Sequence, residues 1–316
     1  MWRRVVIGGT GAICILFVAI LVSYSSWKDE RHAQLREGSD IIETSAGVIE
    51  YSLQAGHGPV LLFVHGTPGG YDQSPDRSYG YRLLAPSRPG YLSTPIDVGR
   101  TPMEQAAAYV ALLDVLEIDE VIVIGASGGG PSAISFAAAY PERTRALVAM
   151  EAVSQSMELL SAPGFLESDF LVWLAFSALS HSLGTEGIVK LVIPDPINQE
   201  RVLGSARKQE KVESILWSFW PPSFRQSGTD NDSEQFTKLE LPLADVSVPT
   251  LIIHGTADAN VPFSHAELLA ERIPNAELHA ILGADHMMPF SHEEEVESII
   301  TEFFARIENA ASYDHR

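Results

Sequence analysis

A glycine-rich turn between a strand pattern and a helix pattern places the strongest constraint on how this chain can fold. Residues 121–124 are apolar and β-branched, which is typical of a buried strand. Residues 128–140, after the turn, are rich in alanine and stop before Pro141, as a helix would. A strand that turns tightly into a helix is the repeating unit of a parallel sheet covered by helices.

The same alternation covers most of the chain. Eight strand patterns occur, at residues 41–44, 48–53, 60–64, 81–85, 121–124, 146–150, 250–253 and 277–282. Helix patterns occur at residues 103–116, 128–140, 264–273 and 292–307. We therefore predict an α/β fold with a mostly parallel, doubly wound sheet and helices on both faces.

The alternation is interrupted once, between the sixth and seventh strands. Residues 155–242 contain helical patterns and aromatic clusters but no clear strand. We predict that this segment is a helical cap inserted into a sheet domain formed by residues 40–154 and 243–309.

The N-terminal segment differs from the rest of the chain in its apolar composition. Residues 5–22 are almost entirely apolar and follow Arg3 and Arg4. At 1.5 Å per residue, about 18 residues make a helix of roughly 27 Å, close to the thickness of a bilayer core. We expect a signal anchor with a transmembrane helix within residues 1–26, a polar linker at 27–39, and the remaining domain on the non-cytoplasmic side of the membrane.

An alternative for this segment rests on the small residues that follow it. Ser23 and Ser25 have the spacing that a signal peptidase accepts, although the apolar run is longer than most signal sequences. The alternative prediction is a secreted or periplasmic protein after cleavage.

The net charge of the chain limits the classes of partner that it can bind. The chain has 41 acidic and 21 basic residues and a formal net charge of −20. Nucleic acid binding requires a basic face, so we expect no nucleic acid partner. The single cysteine, Cys14, lies in the apolar N-terminal run and cannot form an intrachain disulfide.

The turn itself carries a chemical motif. Residues 125–129 read Gly-Ala-Ser-Gly-Gly, which places Ser127 between small residues on a sharp strand-to-helix turn. This is the context of a serine nucleophile, and the start of the following helix favours an oxyanion. A phosphate-binding turn is the alternative, but the glycine spacing matches neither common phosphate motif.

Two further candidates lie beyond other strands. Asp258 follows the strand at 250–253 and His286 follows the strand at 277–282, at the sheet edge where open parallel sheets build their sites. The order serine, acid, histidine is the one that this kind of nucleophilic turn requires.

The loop after the strand at 60–64 is a candidate oxyanion hole. Residues 65–70 read His-Gly-Thr-Pro-Gly-Gly. The backbone N–H of Thr67, together with that of Gly128, can face a reacting carbonyl oxygen. His65 precedes the nucleophile in the chain, so we interpret it as structural.

These motifs together resemble those of the α/β-hydrolase fold family, from about residue 41 to residue 307. Residues 87–91, Ser-Arg-Pro-Gly-Tyr, are similar to the turn after the fourth strand of many capped members. The serine at the turn is similar to that of esterases, lactonases, proline iminopeptidases and carbon–carbon bond hydrolases. Haloalkane dehalogenases and epoxide hydrolases have an aspartate there instead. Some relatives carry the acid at the end of the sixth strand, which the resemblance places at Glu151, after the strand at 146–150, so Glu151 is the competing candidate and Asp258 fits the commoner position.

The resemblance implies a serine hydrolase that cleaves an ester, lactone or amide of a small to medium apolar substrate through an acyl-enzyme. No metal or organic cofactor is implied. Three alternatives stay open: a proline iminopeptidase-like aminopeptidase, an acyltransferase, and a binding protein without catalysis on the same fold. The oligomeric state is not indicated.

An aromatic cluster in the inserted segment is the candidate for substrate contact. Trp217 and Trp220 fit either the core of the cap or the wall of an acyl pocket. We name them as the candidate substrate-binding residues.

Overall fold

A computed structural model describes residues 2–76, 78–159 and 164–314, without the side chains of residues 2–13, 165 and 311–314. The eight strand patterns form one sheet of eight strands. The strands are β1 (Asp40–Thr44), β2 (Gly47–Leu53), β3 (Val60–Val64), β4 (Arg82–Pro86), β5 (Val121–Ala126), β6 (Thr144–Met150), β7 (Thr250–Gly255) and β8 (Ala276–Ile281).

The strand order across the sheet is β1-β2-β4-β3-β5-β6-β7-β8. All pairs from β4 to β8 are parallel, and β2 pairs with β4 in the antiparallel direction. The predicted α/β fold with a mostly parallel sheet is confirmed. The chain leaves β3 toward one edge and continues from β5 toward the other, so the strand order reverses between β3 and β5. Ligands of open α/β sheets bind at such a reversal.

Helices cover the sheet between the strands. They are α2 (Pro102–Val115), α3 (Gly130–Ala139), α8 (Ser264–Arg272), the short α9 (Met288–Ser291) and α10 (Glu293–Asp314). Helix α2 begins as the Thr-Pro sequence indicates: the Thr101 hydroxyl accepts the backbone N–H of Glu104, whose side chain accepts the N–H of Thr101 in return. All residues of β3 are buried, as expected for a central strand covered on both faces.

In the described residues between β6 and β7, where the sequence predicts an insertion, the chain forms helices, the longest of which has a kink at Gly184. They are α4 (Asp169–Val192), α5 (Pro196–Leu203), α6 (Ala206–Trp217) and α7 (Gln226–Phe236). We call this helical segment the cap. Because it enters after β6 and returns at β7, it begins and ends beside strands that carry candidate site residues.

The N-terminal residues form one long helix, α1 (Trp2–Glu37), which belongs to a compact unit separate from residues 41–316. Among the residues that the structure describes, no helix combines the length and apolarity of a membrane span. The predicted transmembrane helix is therefore not supported. Where side chains are described, α1 offers only residues 14–22 as an apolar stretch, and charged residues follow from Lys28. The side chains of residues 5–13, which make up the rest of the predicted span, lie outside the described part.

Candidate active site

Ser127 lies directly after β5 in a backbone conformation that side chains rarely adopt. Its φ angle is +48°, and the chain continues through a short 3₁₀ turn into α3. Gly125 makes this geometry possible because a Cβ there would lie 2.5 Å from the Cβ of Ala133 on the helix. The strand and the helix therefore meet closely, and Ser127 is held at the tip of the turn.

A chain of hydrogen bonds joins the three predicted residues. The Oγ atom of Ser127 lies 3.1 Å from Nε2 of His286. The Nδ1 atom of His286 lies 2.7 Å from Oδ2 of Asp258. With Asp258 ionised, Nδ1 carries the proton and Nε2 is free to accept one from the serine hydroxyl.

Asp258 is held by its own turn as well as by the histidine. Its Oδ1 atom accepts the backbone N–H groups of Asn260 and Val261, at 2.8 and 2.9 Å. Its side chain has no solvent exposure, so these donors replace water as partners of the carboxylate. Asp258 therefore has a fixed orientation toward His286.

Glu151, the competing acid, lies nearby in a different environment. Its Oε2 atom is 4.0 Å from Nδ1 of His286, beyond hydrogen-bond distance. Burial, and then the nearby Asp258 and Asp285 carboxylates, raise the pKa of Glu151 well above its usual range. A protonated glutamic acid cannot provide the negative charge that stabilises an imidazolium. The geometry thus favours Asp258 as the acid.

Three residues of the site, Glu151, Asp258 and His286, lie close enough together to contact one metal ion. The candidate ligand atoms of Glu151, Asp258 and His286 lie within 4.8 Å of one another. The Nδ1 atom that a metal would need already faces Asp258 at hydrogen-bond distance. A metal ion at this place would therefore have to displace the hydrogen bond between His286 and Asp258.

The predicted oxyanion residues meet at the same point. A Cβ on Gly128 would lie 2.1 Å from Oγ1 of Thr67 and 3.2 Å from its backbone nitrogen. Only glycine allows the loop after β3 to approach the start of α3 this closely. The backbone N–H groups of Thr67 and Gly128 are thus neighbours, beside Ser127.

His65 is structural, as the sequence analysis interprets it. It is buried, and its Nε2 accepts the backbone N–H of Arg88 at 2.8 Å, so Nδ1 is the protonated atom and donates to the carbonyl of Gly66 at 2.8 Å. Burial, and then the charge of Arg88, hold the pKa of His65 well below its usual value. His65 is therefore neutral and supports the loop that follows β3.

A cavity of about 980 Å³ opens at Ser127 and His286. Its walls come from the sheet edge, the cap and the loop before α10, and they are mainly apolar. Large side chains on the cap wall include Ile215, Leu216, Phe219 and Phe236. A cavity of this size and polarity is typical of a site for a small organic molecule.

The two predicted substrate-binding tryptophans are not among the described residues that line this cavity. Trp220 is completely buried, and its indole N–H donates to the carbonyl oxygen of Asp169 at 2.9 Å. Trp217 packs edge-on against Phe176 with ring centroids 5.4 Å apart. Trp220 thus lies in the buried interior of the cap and Trp217, which is partly exposed, packs against another cap residue, while their neighbours Leu216 and Phe219 face the cavity.

The local sequence gives only a weak indication of two further residues, Phe219 and Asp232. Phe219 belongs to the same aromatic cluster, but nothing in the sequence indicates which ring of that cluster turns inward. The buried partner of Arg88, Asp232, is 144 positions away in the chain. Its place in the site therefore depends entirely on how the cap packs on the sheet.

The eight-stranded sheet and the linked Ser127, His286 and Asp258 side chains define a hydrolase of the α/β class. The sequence model described as the alpha/beta hydrolase family matches residues 61–299. The chain belongs to this family.

Similar proteins agree with this assignment. A 2-hydroxymuconate semialdehyde hydrolase of Pseudomonas putida is 27% identical over 258 residues, which cover 79% of this chain and 88% of that protein. The hydrolase YcgS of Bacillus subtilis is 28% identical over 265 residues, covering 79% of this chain and 92% of that protein. Both names describe hydrolases, which supports hydrolase activity for this chain.

Solved structures show the same fold. An alpha/beta hydrolase fold protein from Nakamurella multipartita has a TM-score of 0.73 at 27% identity, covering 84% of this chain and 98% of that chain. A thermophilic esterase from Thermogutta terrifontis has a TM-score of 0.58 at 21% identity, covering 85% of this chain and 98% of that chain. The second likeness concerns the fold alone.

Proposed function

We propose that this protein is a serine hydrolase that cleaves an ester, lactone or amide bond of a small to medium, uncharged and moderately apolar substrate through an acyl-enzyme. The observation that carries the proposal is the hydrogen-bond chain from Ser127 through His286 to Asp258, which opens into an apolar cavity.

The proposed reaction follows from the geometry. His286 accepts the proton of the Ser127 hydroxyl as the oxygen attacks the substrate carbonyl carbon. The N–H groups of Thr67 and Gly128 stabilise the oxyanion that forms. His286 then returns the proton to the leaving group, and an acyl-enzyme remains. Water, activated by the same histidine, attacks this ester and releases the acid, while Asp258 stabilises the imidazolium in each step.

The charges around the cavity disfavour an anionic substrate. Among the described lining residues, Lys211 is the only lysine or arginine. Its ammonium group already contacts two carboxylates, Asp76 at 2.8 Å and Glu293 at 2.6 Å. Placing a substrate carboxylate there would require breaking one of these ion pairs, so we expect anionic substrates to bind weakly.

A carbon–carbon bond hydrolase is the second candidate. Several relatives carry names of that kind, among them 2-hydroxy-6-oxo-6-phenylhexa-2,4-dienoate hydrolase of Burkholderia cepacia, which is 25% identical over 266 residues. A dienoate carries a carboxylate at neutral pH. The paired state of Lys211 favours the ester hydrolase, and the direct comparison of the two substrate classes decides between them.

The test combines covalent labelling with a substrate screen. We expect Ser127 to react with a fluorophosphonate probe, and Ser127→Ala to lose labelling and about 10⁶ in kcat. Nitrophenyl esters, lactones, a prolyl anilide and a hydroxy-oxo-dienoate are then compared by kcat/KM. Labelling and turnover unchanged in Ser127→Ala would contradict the serine mechanism.

The screen also decides the remaining alternatives. Preference for the dienoate would establish the carbon–carbon hydrolase, and preference for the prolyl anilide would establish an aminopeptidase. Transfer of the acyl group to an added alcohol, in excess over hydrolysis, would identify an acyltransferase. A protein that neither labels nor turns over any substrate would be a binding protein on the hydrolase fold.

The location of the catalytic domain stays a prediction from the sequence. Arg3 and Arg4 before an apolar run favour export of the residues that follow. We propose that the catalytic domain functions on the non-cytoplasmic side. Cell fractionation combined with sequencing of the mature N-terminus tests this, and recovery of the intact chain in the cytoplasmic fraction would contradict it.

A further inference from the structure

A buried ion pair joins the cap to the loop that provides Thr67. We call residues 65–73 the oxyanion loop. The carboxylate of Asp232, on α7 of the cap, lies 2.5 Å from Nη2 and 3.0 Å from Nη1 of Arg88. The side chains of Arg88 and Asp232 are only 2% and 3% exposed. Asp232 also accepts the hydroxyl groups of Thr67 and Tyr91, the second at 2.6 Å.

Arg88 holds the backbone of the same loop. Its Nε donates to the carbonyl of His65 at 3.0 Å, and its Nη2 donates to the carbonyl of Gly66 at 3.2 Å. The peptide bond between Gly66 and Thr67 is trans, so its C=O and N–H groups point in opposite directions. A guanidinium that fixes the Gly66 carbonyl on one side therefore turns the Thr67 N–H to the other.

A second cap residue holds the far end of the loop. Arg225, directly before α7, donates to the carbonyl of Gly69 at 2.5 Å and pairs with the Asp72 carboxylate at 2.9 Å. Gly228 on α7 donates its backbone N–H to the carbonyl of Gly90, beside Arg88 in the chain. Helix α7 thus contacts the oxyanion loop at both ends and also the turn that carries Arg88.

We infer that Asp232 is a positioning residue for the oxyanion hole: by binding Arg88 and the Thr67 hydroxyl together, it aligns the Thr67 N–H only when the cap is docked. This inference rests on the proposed serine hydrolase function. Asp232 and Arg88 do not belong to the described residues that line the active-site cavity, so they act through the loop and do not touch the substrate.

The mechanism makes a distinctive kinetic prediction. A misaligned oxyanion donor weakens stabilisation of the transition state for every substrate, whatever its acyl chain. Complete removal of one such donor costs about 10²–10³ in kcat. We expect Asp232→Asn to lose about 10-fold to 10²-fold in kcat, equally for nitrophenyl acetate and for longer esters, with KM nearly unchanged.

The experiment compares Asp232→Asn with Asp230→Asn in the full-length protein. Asp230 is an exposed residue on the same helix, so its substitution makes the same charge change without touching the oxyanion loop. Active sites are counted by burst titration, kcat is expressed per active site, and the rate constant of fluorophosphonate labelling is measured. We expect Asp230→Asn to match the wild type and Asp232→Asn to lose both kcat and labelling rate.

Thr67→Val provides a second test if Asp232→Asn does not fold. It removes the hydroxyl that joins Thr67 to Asp232 and Arg88 but keeps the backbone N–H and the ion pair. We expect a loss of kcat for all esters, and a smaller loss for Thr67→Ser, which keeps a hydroxyl.

The outcomes separate this inference from the proposed function. Wild-type kcat per active site in folded Asp232→Asn, or in Thr67→Val, would overturn the positioning role alone. A loss confined to KM of long-chain esters would also overturn it, because that pattern indicates substrate contact. A wild-type protein that neither labels nor hydrolyses any ester would overturn the proposed function and this inference with it.

Discussion

At the scale of single residues, the site depends on conformations that the local sequence alone would not favour. Ser127 and Glu151, each at the end of a central strand, both have positive φ angles, +48° and +49°. Such a conformation costs about 1–3 kcal/mol for a residue other than glycine. The parallel pairing of β5 with β6 and the packing of α3 hold the two residues in this conformation. In this conformation both side chains lie at the cavity.

A pair of matched substitutions tests whether Asp258 or Glu151 is the acid that orients His286. Asp258→Asn removes the charge that faces His286, and we expect kcat to fall by about 10⁴. Glu151→Gln replaces a neutral acid by a neutral amide of the same shape, so we expect activity to stay close to that of the wild type. Both are measured as kcat/KM for one nitrophenyl ester. An inactive Glu151→Gln beside an active Asp258→Asn would reverse the assignment.

The raised pKa of Glu151 also predicts how stability depends on pH. The folded protein holds this proton more tightly than the unfolded chain, whose glutamates titrate near ~4.3. The stability that this group contributes is present below that pH and is lost as the pH rises through the folded pKa. Glu151→Gln has no such titration, so its free energy of unfolding relative to the wild type should increase with pH.

Urea denaturation of both proteins between roughly pH 5 and 9 measures this difference. Asp230→Asn is a suitable control because that residue is exposed and, among the described residues, its carboxylate accepts a hydrogen bond only from Gln226. Wild-type and Glu151→Gln curves that stay parallel over the whole range would show that Glu151 is not protonated in the folded protein.

At the scale of elements, two adjacent aromatic residues just after α6 have different roles. One stabilises the cap and the other faces the substrate cavity. Trp220 is completely buried and hydrogen-bonded, whereas Phe219 lines the cavity and is partly exposed. The two rings are adjacent in the chain but have different surroundings. Their substitution therefore tests whether the cavity wall has been identified correctly.

We expect Trp220→Ala to cost about 3–5 kcal/mol in the free energy of unfolding, as large-to-small substitutions in a core do. Phe219→Ala should cost much less stability and should shift kcat/KM toward longer acyl chains, because it enlarges the cavity. Thermal unfolding and a series of nitrophenyl esters measure the two effects. An unchanged chain-length preference in Phe219→Ala would contradict its place in the cavity wall.

At the scale of the whole molecule, the candidate catalytic residues all belong to the unit formed by residues 41–316, and α1 belongs to the other. Among the side chains that the structure describes, the main hydrophobic core of the larger unit is built from residues between Ile49 and Ile273. The larger unit thus contains its own core and the complete candidate site.

This division predicts the effect of removing the N-terminal helix. A protein that begins at Ser39 should fold, label with fluorophosphonate and retain the kcat of the full-length chain, because no site residue is lost. Circular dichroism and ester hydrolysis are the measurements. A truncated protein that folds but has lost its activity would show that α1 contributes to the site.

The sequence by itself determined the features that depend on local patterns. Apolar runs and turn residues located all eight strands to within a few residues, because burial and backbone preference act over short stretches. The order of Ser127, Asp258 and His286 and their positions after strand ends were also readable, since parallel strands bring their carboxyl ends to one edge. The N-terminal prediction is not supported at this level: apolarity indicated a membrane span, but no helix among the described residues is long and apolar enough for one.

Features that depend on contact between distant segments of the chain were decided only by the tertiary structure. Asp258 and Glu151 both follow parallel strands, and the 2.7 Å and 4.0 Å distances to His286 distinguish them. Phe219 lines the cavity and neither Trp217 nor Trp220 does, and Trp220 is instead completely buried within the cap. The pairing of Arg88 with Asp232 across 144 positions has no sequence signal, since a buried ion pair is set by where α7 docks and not by the residues around either partner.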